Sequence, residues 1–368
     1  MRGLPRFSLL QLLQRDANNL DLVRLVCSCL VLYGHSFSVI NSSRFTLLEW
    51  DPFMRLKYPG VYAASTAVKV FFFISGLLVT NSLLTKGSVR QYIFGRVFRI
   101  WPALVVVLLV SAFVIGPAFT LLKVSDYFSL SEPYHYAFGN ILMLMPEGLP
   151  GVFCYNPVPR AINLSLWTLP YEVGAYIVVL LLWLIGTFRH RWLCAVILVA
   201  LVIDPLRQQS WLLPWIDPNP QVSWLPFCFA LGSFLAVMAS RITLTVFLPV
   251  GLLAGFVFLR HTAIGLLVGI VAMLISLLYF SALPWVRRLR LKTDLSYGTF
   301  IWGFPLQQIV VMRFPHWEVP QLFAVSLALA LGVAYCSWHL IERPAIRLGR
   351  RWAMKPTTTE LASRATAP

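Results

Sequence analysis

Residues 18–39 read NNLDLVRLVCSCLVLYGHSFSV. At about 1.5 Å per residue, such a helix spans the ~30 Å hydrocarbon core of a bilayer. Yet it carries Asp21, Arg24 and His35. Ionisable groups are costly inside a membrane, so each is a functional hypothesis by default. Asp21 and Arg24 are three apart and pair on one face. Arg24 and His35 are eleven apart. Eleven steps of about 100° leave only about 20° beyond three full turns, so both face the same way, roughly 16 Å apart along the axis. Arg24 then lies toward the cytoplasmic end and His35 toward the outer end. A histidine titrates near working pH, which suits a general base. The plainer alternative is an interhelical hydrogen bond for His35 and a snorkelling Arg24.

The same apolar run length recurs outward from this stretch. Of 368 residues, 58% are hydrophobic and 12% charged, about half the charge of an ordinary soluble domain. A soluble fold is excluded, and the fold class is an all-α polytopic bundle. Ten spans are expected, at 20–40, 66–84, 100–120, 163–186, 192–204, 223–239, 243–260, 262–281, 294–312 and 320–341. The net charge of +16 would suggest nucleic acid in a soluble protein. Here the basic residues sit in short runs between spans. With both termini cytoplasmic, twenty Lys and Arg fall on the inner side and nine on the outer, which is the positive-inside bias. No nucleic-acid partner is expected. The six cysteines form no CxxC pair, so no metal and no disulfide framework are expected.

Three parts follow: a cytoplasmic lead at 1–19, a membrane domain at 20–345, and a cytoplasmic, disordered tail at 346–368. Loops 41–65 and 121–162 are long, aromatic and proline-bearing. Their aromatic rings suit either sugar stacking or an interfacial belt.

Four more segments carry candidate chemistry. In AVKVFFFISGLLVTNSLL (67–84), Ser75-Gly76 reads as a close-packing point. In RQYIFGRVFRIWP (90–102), Arg96 and Arg99 share a helical face at the cytoplasmic end of the third span, where guanidinium groups grip phosphates bidentately. In NLSLWTLPYEV (163–173), Glu172 lies in the outer half of the fourth span, and Pro170 just before it would break the helix and open a cavity. Depth alone suggests that Glu172 polarises His35. Asp294, Tyr297, His339 and Glu342 lie near the cytoplasmic face, with Glu342 and Arg343 expected to form an ion pair.

Taken together, Arg24 with His35, FFFISGLL (71–78), RVFRIWP (96–102), LPGVF (149–153), SLWTLPYEV (165–173) and SYGTFIWGFP (296–305) resemble the acyltransferase 3 family of bacterial membrane O-acyltransferases, in the family's order and over nearly the whole chain. The resemblance implies about ten core helices and an acyl-CoA donor, commonly acetyl-CoA, used from the cytoplasm. It implies a carbohydrate acceptor, such as exopolysaccharide, lipopolysaccharide or another glycan, modified at the outer side of the bacterial inner membrane. His35 would be the catalytic residue with Arg24 its motif partner. Arg96 and Arg99 would meet the donor, and Glu172 would be the acidic residue of its motif. Leu164 departs from the pattern, standing where many members have glycine. The mechanism expected is proton removal from the acceptor by His35, or an acyl-His35 intermediate. A flippase for a lipid-linked saccharide and a structural subunit of an export complex are the alternatives.

Overall fold

The computed structural model describes residues 5–40, 51, 53–58, 60–144 and 148–354. Ten helices carry the account: α1 (Leu20–Ile40), α2 (Ala63–Lys86), α3 (Val89–Val110), α4 (Leu169–Leu184), α5 (Leu225–Val237), α6 (Phe247–Leu259), α7 (Gly265–Ser281), α8 (Ser296–Arg313), α9 (Val319–Ser337) and α10 (Arg343–Met354). The one small sheet pairs Arg6–Ser8 antiparallel with Thr243–Thr245. The protein is therefore an all-α, multi-pass membrane protein. Five helical stretches are long and apolar enough to cross a bilayer among the described residues: 20–40, 63–86, 89–119, 164–184 and 319–354.

Helices occur in all ten expected segments, but several boundaries differ. The third begins at Val89 rather than residue 100, because Ser88 caps it, its hydroxyl accepting from the Gln91 amide at 3.3 Å. Gly87, with φ of +61°, closes α2 just before it, as a left-handed C-terminal residue does. Arg96 and Arg99 thus lie inside α3 and not at its end. The fifth expected span is only a ten-residue helix, Arg191–Ala200. The last helix runs on past 341: a π turn at Trp338–Glu342 joins α9 to α10. The tail expected to be disordered from 346 is helical to Met354, and its remainder, 355–368, lies outside the described residues. The lead at 1–19 is not separate either, since Leu9 and Leu12 are buried in the main core.

Close helix approach holds the bundle together. A Cβ added at Gly76 would sit 2.0 Å from the Phe229 carbonyl oxygen, and one at Gly232 would sit 2.1 Å from that of Phe73. So α2 and α5 touch backbone to backbone, as small residues allow in membranes. The Thr80 hydroxyl donates to that of Ser233 across the same interface at 2.9 Å. Gly34 of α1 abuts Ala64 of α2 in the same manner.

The helix α8 is the hub. Fourteen of its eighteen residues are buried. It is not apolar enough to count among the five spans, because it spends polar side chains on its neighbours. Gln307 donates to the Leu32 carbonyl and the Ser36 hydroxyl, both at 2.8 Å. Gln308 donates to the Val158 and Ala161 carbonyls, and Asn163 donates to that of Ile301. These bonds pin the loop at 156–163 onto α8. In the loop before it, Tyr127 and Tyr136 are core residues, whereas Phe138 is exposed. The first two rings are therefore unavailable for stacking on a sugar. Residues 41–50 of the other aromatic loop lie outside the described residues.

Candidate active site

The helices α1, α2, α3, α4, α8 and α10 enclose a cavity of about 1350 Å³. Ten of its lining residues are Lys or Arg and three are Asp or Glu. The basic groups cluster toward the ends of α2 and α10 and the start of α1. Farther in along α2, Ser75 comes first, with Glu172 beside it, and Phe72, Phe71 and Val68 follow with Phe300, so the innermost wall is apolar. One end is cationic and the other is an apolar neck, with a carboxylate between them.

Asp294, on the segment leading into α8, organises the junction. Its Oδ2 accepts from Arg24 Nη1 at 3.1 Å and from Arg99 Nη2 at 2.5 Å. Its Oδ1 accepts from the Ser296 amide at 3.2 Å and the Ser296 hydroxyl at 2.6 Å. Burial alone would raise its pKa. The two guanidinium groups outweigh that and hold the carboxyl well below the usual carboxylate range. Asp21 stands 4.0 Å from Arg24, so the pairing expected from sequence forms, as the weaker contact. Asp294 and Arg24 are 270 residues apart, and no local signal in the sequence links them.

Arg96 and Arg99 face the same cavity but do different things. Arg99 is taken by Asp294 and lies 6.0 Å from the Tyr297 ring centroid. Arg96 has no acidic partner among the described residues and lies 5.8 Å from the Tyr176 ring centroid. Glu172 sits in the first turn of α4, where Pro170 is accommodated because first-turn amides need no helical acceptor. Pro170 therefore does not break the helix as its position suggested. Glu172 Oε1 accepts from Ser75 Oγ at 3.0 Å and from the Tyr176 hydroxyl.

His35 is half-buried, its ring edge-on to Phe304 with centroids 5.2 Å apart. No hydrogen bond joins it to Glu172 among the described residues, and it does not line the cavity. The polarising contact inferred from depth is not formed in this structure. The distance to be closed is short. Phe300 lines the cavity and Phe304 follows one turn later; Val68 lines it and Ala64, against Gly34, precedes by one turn. The inner end stops about one helical turn, ~5 Å, short of the level of His35. The structure thus brings Arg24, Arg96, Arg99 and Glu172 to one cavity and leaves His35 just beyond it.

The expected Glu342–Arg343 pair does not form among the described residues. Glu342 is buried and accepts from Ser337 Oγ at 2.9 Å. Sequence reasoning also missed the arginines of α10, having assigned Arg347 and Arg350 to a disordered tail. Their signal is an amphipathic pattern, with Arg343, Arg347 and Arg350 recurring at helical spacing.

The fold and site define a membrane protein whose helical bundle holds a cavity cationic at one end and apolar at the other. Residues 17–340 match the acyltransferase 3 family, described as an acyltransferase domain. The chain belongs to that family and is an acyltransferase. It is 25% identical to the O-acetyl transferase of Shigella phage Sf6 over 348 residues, covering 89% of this chain and 95% of that one. It is 25% identical to Nodulation protein 10 of Rhizobium leguminosarum bv. viciae over 370 residues, covering 90% and 94% respectively. No solved structure matches.

Proposed function

We propose that the protein is an O-acetyltransferase of the bacterial inner membrane. It carries an acetyl group from cytoplasmic acetyl-CoA to a hydroxyl of a carbohydrate acceptor on the outer side. In this reading the ten segments expected from the sequence, from 20–40 to 320–341, are the spans and both termini are cytoplasmic. One observation carries it: the cavity with a cationic mouth and an apolar neck pointing toward His35. That shape suits a donor with a phosphorylated head and a long neutral arm. The O-acetyl transferase name of the phage relative supports the acyl group and the oxygen acceptor.

The phosphates lie near Arg96 and the thioester reaches inward along Phe71, Phe72 and Phe300. His35 removes the acceptor hydroxyl proton. The alkoxide attacks the thioester carbonyl, a C–O bond forms, and the C–S bond breaks. The thiolate leaves and recovers the proton from the imidazolium, so His35 is regenerated. Glu172, held by Ser75 and Tyr176, lines the donor channel between Arg96 and the apolar inner end at Phe71, Val68 and Phe300. In an alternative order, His35 accepts the acetyl group first and passes it on.

The test compares O-acetyl content of surface and secreted glycans in cells with the wild-type gene, a deletion, and His35→Ala with membrane expression verified. Loss of acetyl ester in both mutants, with the glycan still exported, is the expected result. Full acetylation in both sinks a glycan acceptor. Failure of the glycan to reach the surface favours a transporter instead.

A further inference from the structure

The cations of the cavity are not equivalent. Arg24 and Arg99 are neutralised by Asp294, and Arg290 pairs with Asp16 at 2.5 Å. The three acidic lining residues are already engaged: Asp21 beside Arg24, Asp294 by two arginines, and Glu172 by Ser75 and Tyr176. Seven lining cations have no acidic partner among the described residues: Arg15, Lys86, Arg96, Lys292, Arg343, Arg347 and Arg350. Of these, Lys86, Arg96 and Arg350 meet where α10 packs on α3 beside the end of α2.

These three come from separate elements: the last residue of α2, the middle of α3, and α10. All three face one cavity, and α10 packs directly on α3 through Gly349 and Trp352 against Phe94 and Phe98. Converging like charges are unfavourable in the free protein, so packing must hold them there. It does so on the α10 side. Gly349 lies against the Phe98 ring, where an added Cβ would be 2.6 Å from Cγ. Trp352 meets Phe94 and Phe98 edge-on, with centroids 6.2 and 5.6 Å apart. The π turn at Trp338–Glu342 admits an extra residue into the helix and so sets which face of α10 meets α3. Arg350, next to the anchored Gly349, is thereby fixed at the mouth.

We infer that Lys86, Arg96 and Arg350 form a phosphate-binding site for the terminal phosphomonoester on the nucleotide end of the donor. This rests on the acyl-CoA reading above and deepens it. Lys86 and Arg350 are exposed while Arg96 is half-buried, so the trio sits at the outer end of the cavity. The diphosphate of the donor leads directly into the arm and must lie farther in. A phosphomonoester is the donor's outermost charged group, carries about −1.5 to −2 at neutral pH, and is matched by three cations. Two of them are guanidinium groups suited to bidentate contact. The site also assigns a role to α10: it is a wall of the donor site.

The test is calorimetric titration of the purified full-length protein in detergent with coenzyme A and with 3′-dephospho-coenzyme A. Arg350→Ala and Lys86→Ala are each expected to weaken coenzyme A by about tenfold or more, the loss of a charged hydrogen bond. Their affinity for the dephospho compound should stay within roughly twofold, and Arg350→Lys should keep most of the coenzyme A affinity. Unchanged thermal midpoints show that the variants fold. Equal weakening of both ligands would move the trio to the diphosphate and overturn the assignment, as would no weakening of either. If the wild type binds neither compound, the acyl-CoA donor itself falls, and the inference with it.

Discussion

A carboxylate shared by two guanidinium groups neutralises both and fixes their direction at once. Asp294 does this for Arg24 and Arg99, the first from the opening helix and the second from α3. Asp294→Asn keeps the shape and removes the charge. Activity should fall at least about tenfold, because hydrogen bonds to charged groups contribute ~1.5–3 kcal/mol. Asp294→Glu should restore part of it, and a steady-state comparison of the variants checks this. The carboxyl is held below its usual range. Its contribution to stability is therefore complete above the unfolded value, about 3.9, and is lost as pH falls through the lowered folded value. Between about pH 5 and pH 2 the wild type should lose thermal midpoint more steeply than Asp294→Asn. Equal slopes would show that Asp294 is not the group responsible. Arg24, Arg96, Arg99 and Glu172 were legible in the sequence because charge within an apolar run is conspicuous. Asp294 as the partner of Arg24 and Arg99 was not, since the link is purely tertiary. The contact of Glu172 was misjudged because depth along a helix does not fix azimuth: its carboxylate meets Ser75 and Tyr176, not His35.

Elements were legible where length and hydropathy agree, as in α1 and α2. They were less so where a helix trades apolar surface for buried hydrogen bonds. The hub α8 is such a case, carrying Gln307 and Gln308 at the centre of the bundle. Hydropathy also underestimates helices that continue as amphipathic walls, which is why α10 was assigned to a disordered tail. Ser75-Gly76, by contrast, was rightly read as a packing point. Gly76→Val should prevent α2 from meeting α5, because its Cβ would clash with a backbone carbonyl oxygen that no rotamer change can move. The protein should fail to accumulate in membranes. Gly332→Ala, where nothing lies within 4 Å of the added atom, should accumulate normally and gain up to about 1 kcal/mol from helix propensity. Immunoblots of membrane fractions distinguish the two. Normal accumulation of Gly76→Val would contradict the backbone-to-backbone contact.

At the scale of the molecule, the basic residues that give the chain its net charge of +16 do two jobs. On the proposed topology they bias orientation in the membrane, and ten of them line the cavity. On that topology its cationic mouth opens to the cytoplasm. A fluorescent reporter fused after the last residue should then fold and fluoresce, while alkaline phosphatase at the same place should be inactive. The opposite pattern would turn the cavity to the wrong side for a cytoplasmic donor. The central claim is that a donor admitted at the basic mouth delivers its acetyl group beyond the apolar neck, at His35. The most direct measurement supplies acetyl-labelled acetyl-CoA to sealed inside-out membrane vesicles from cells that make both the protein and its glycan. Label should appear as alkali-labile ester on glycan enclosed in the vesicles, and His35→Ala should abolish it. Ester formation undiminished by His35→Ala, or seen only when acetyl-CoA is given to right-side-out vesicles, would contradict the account.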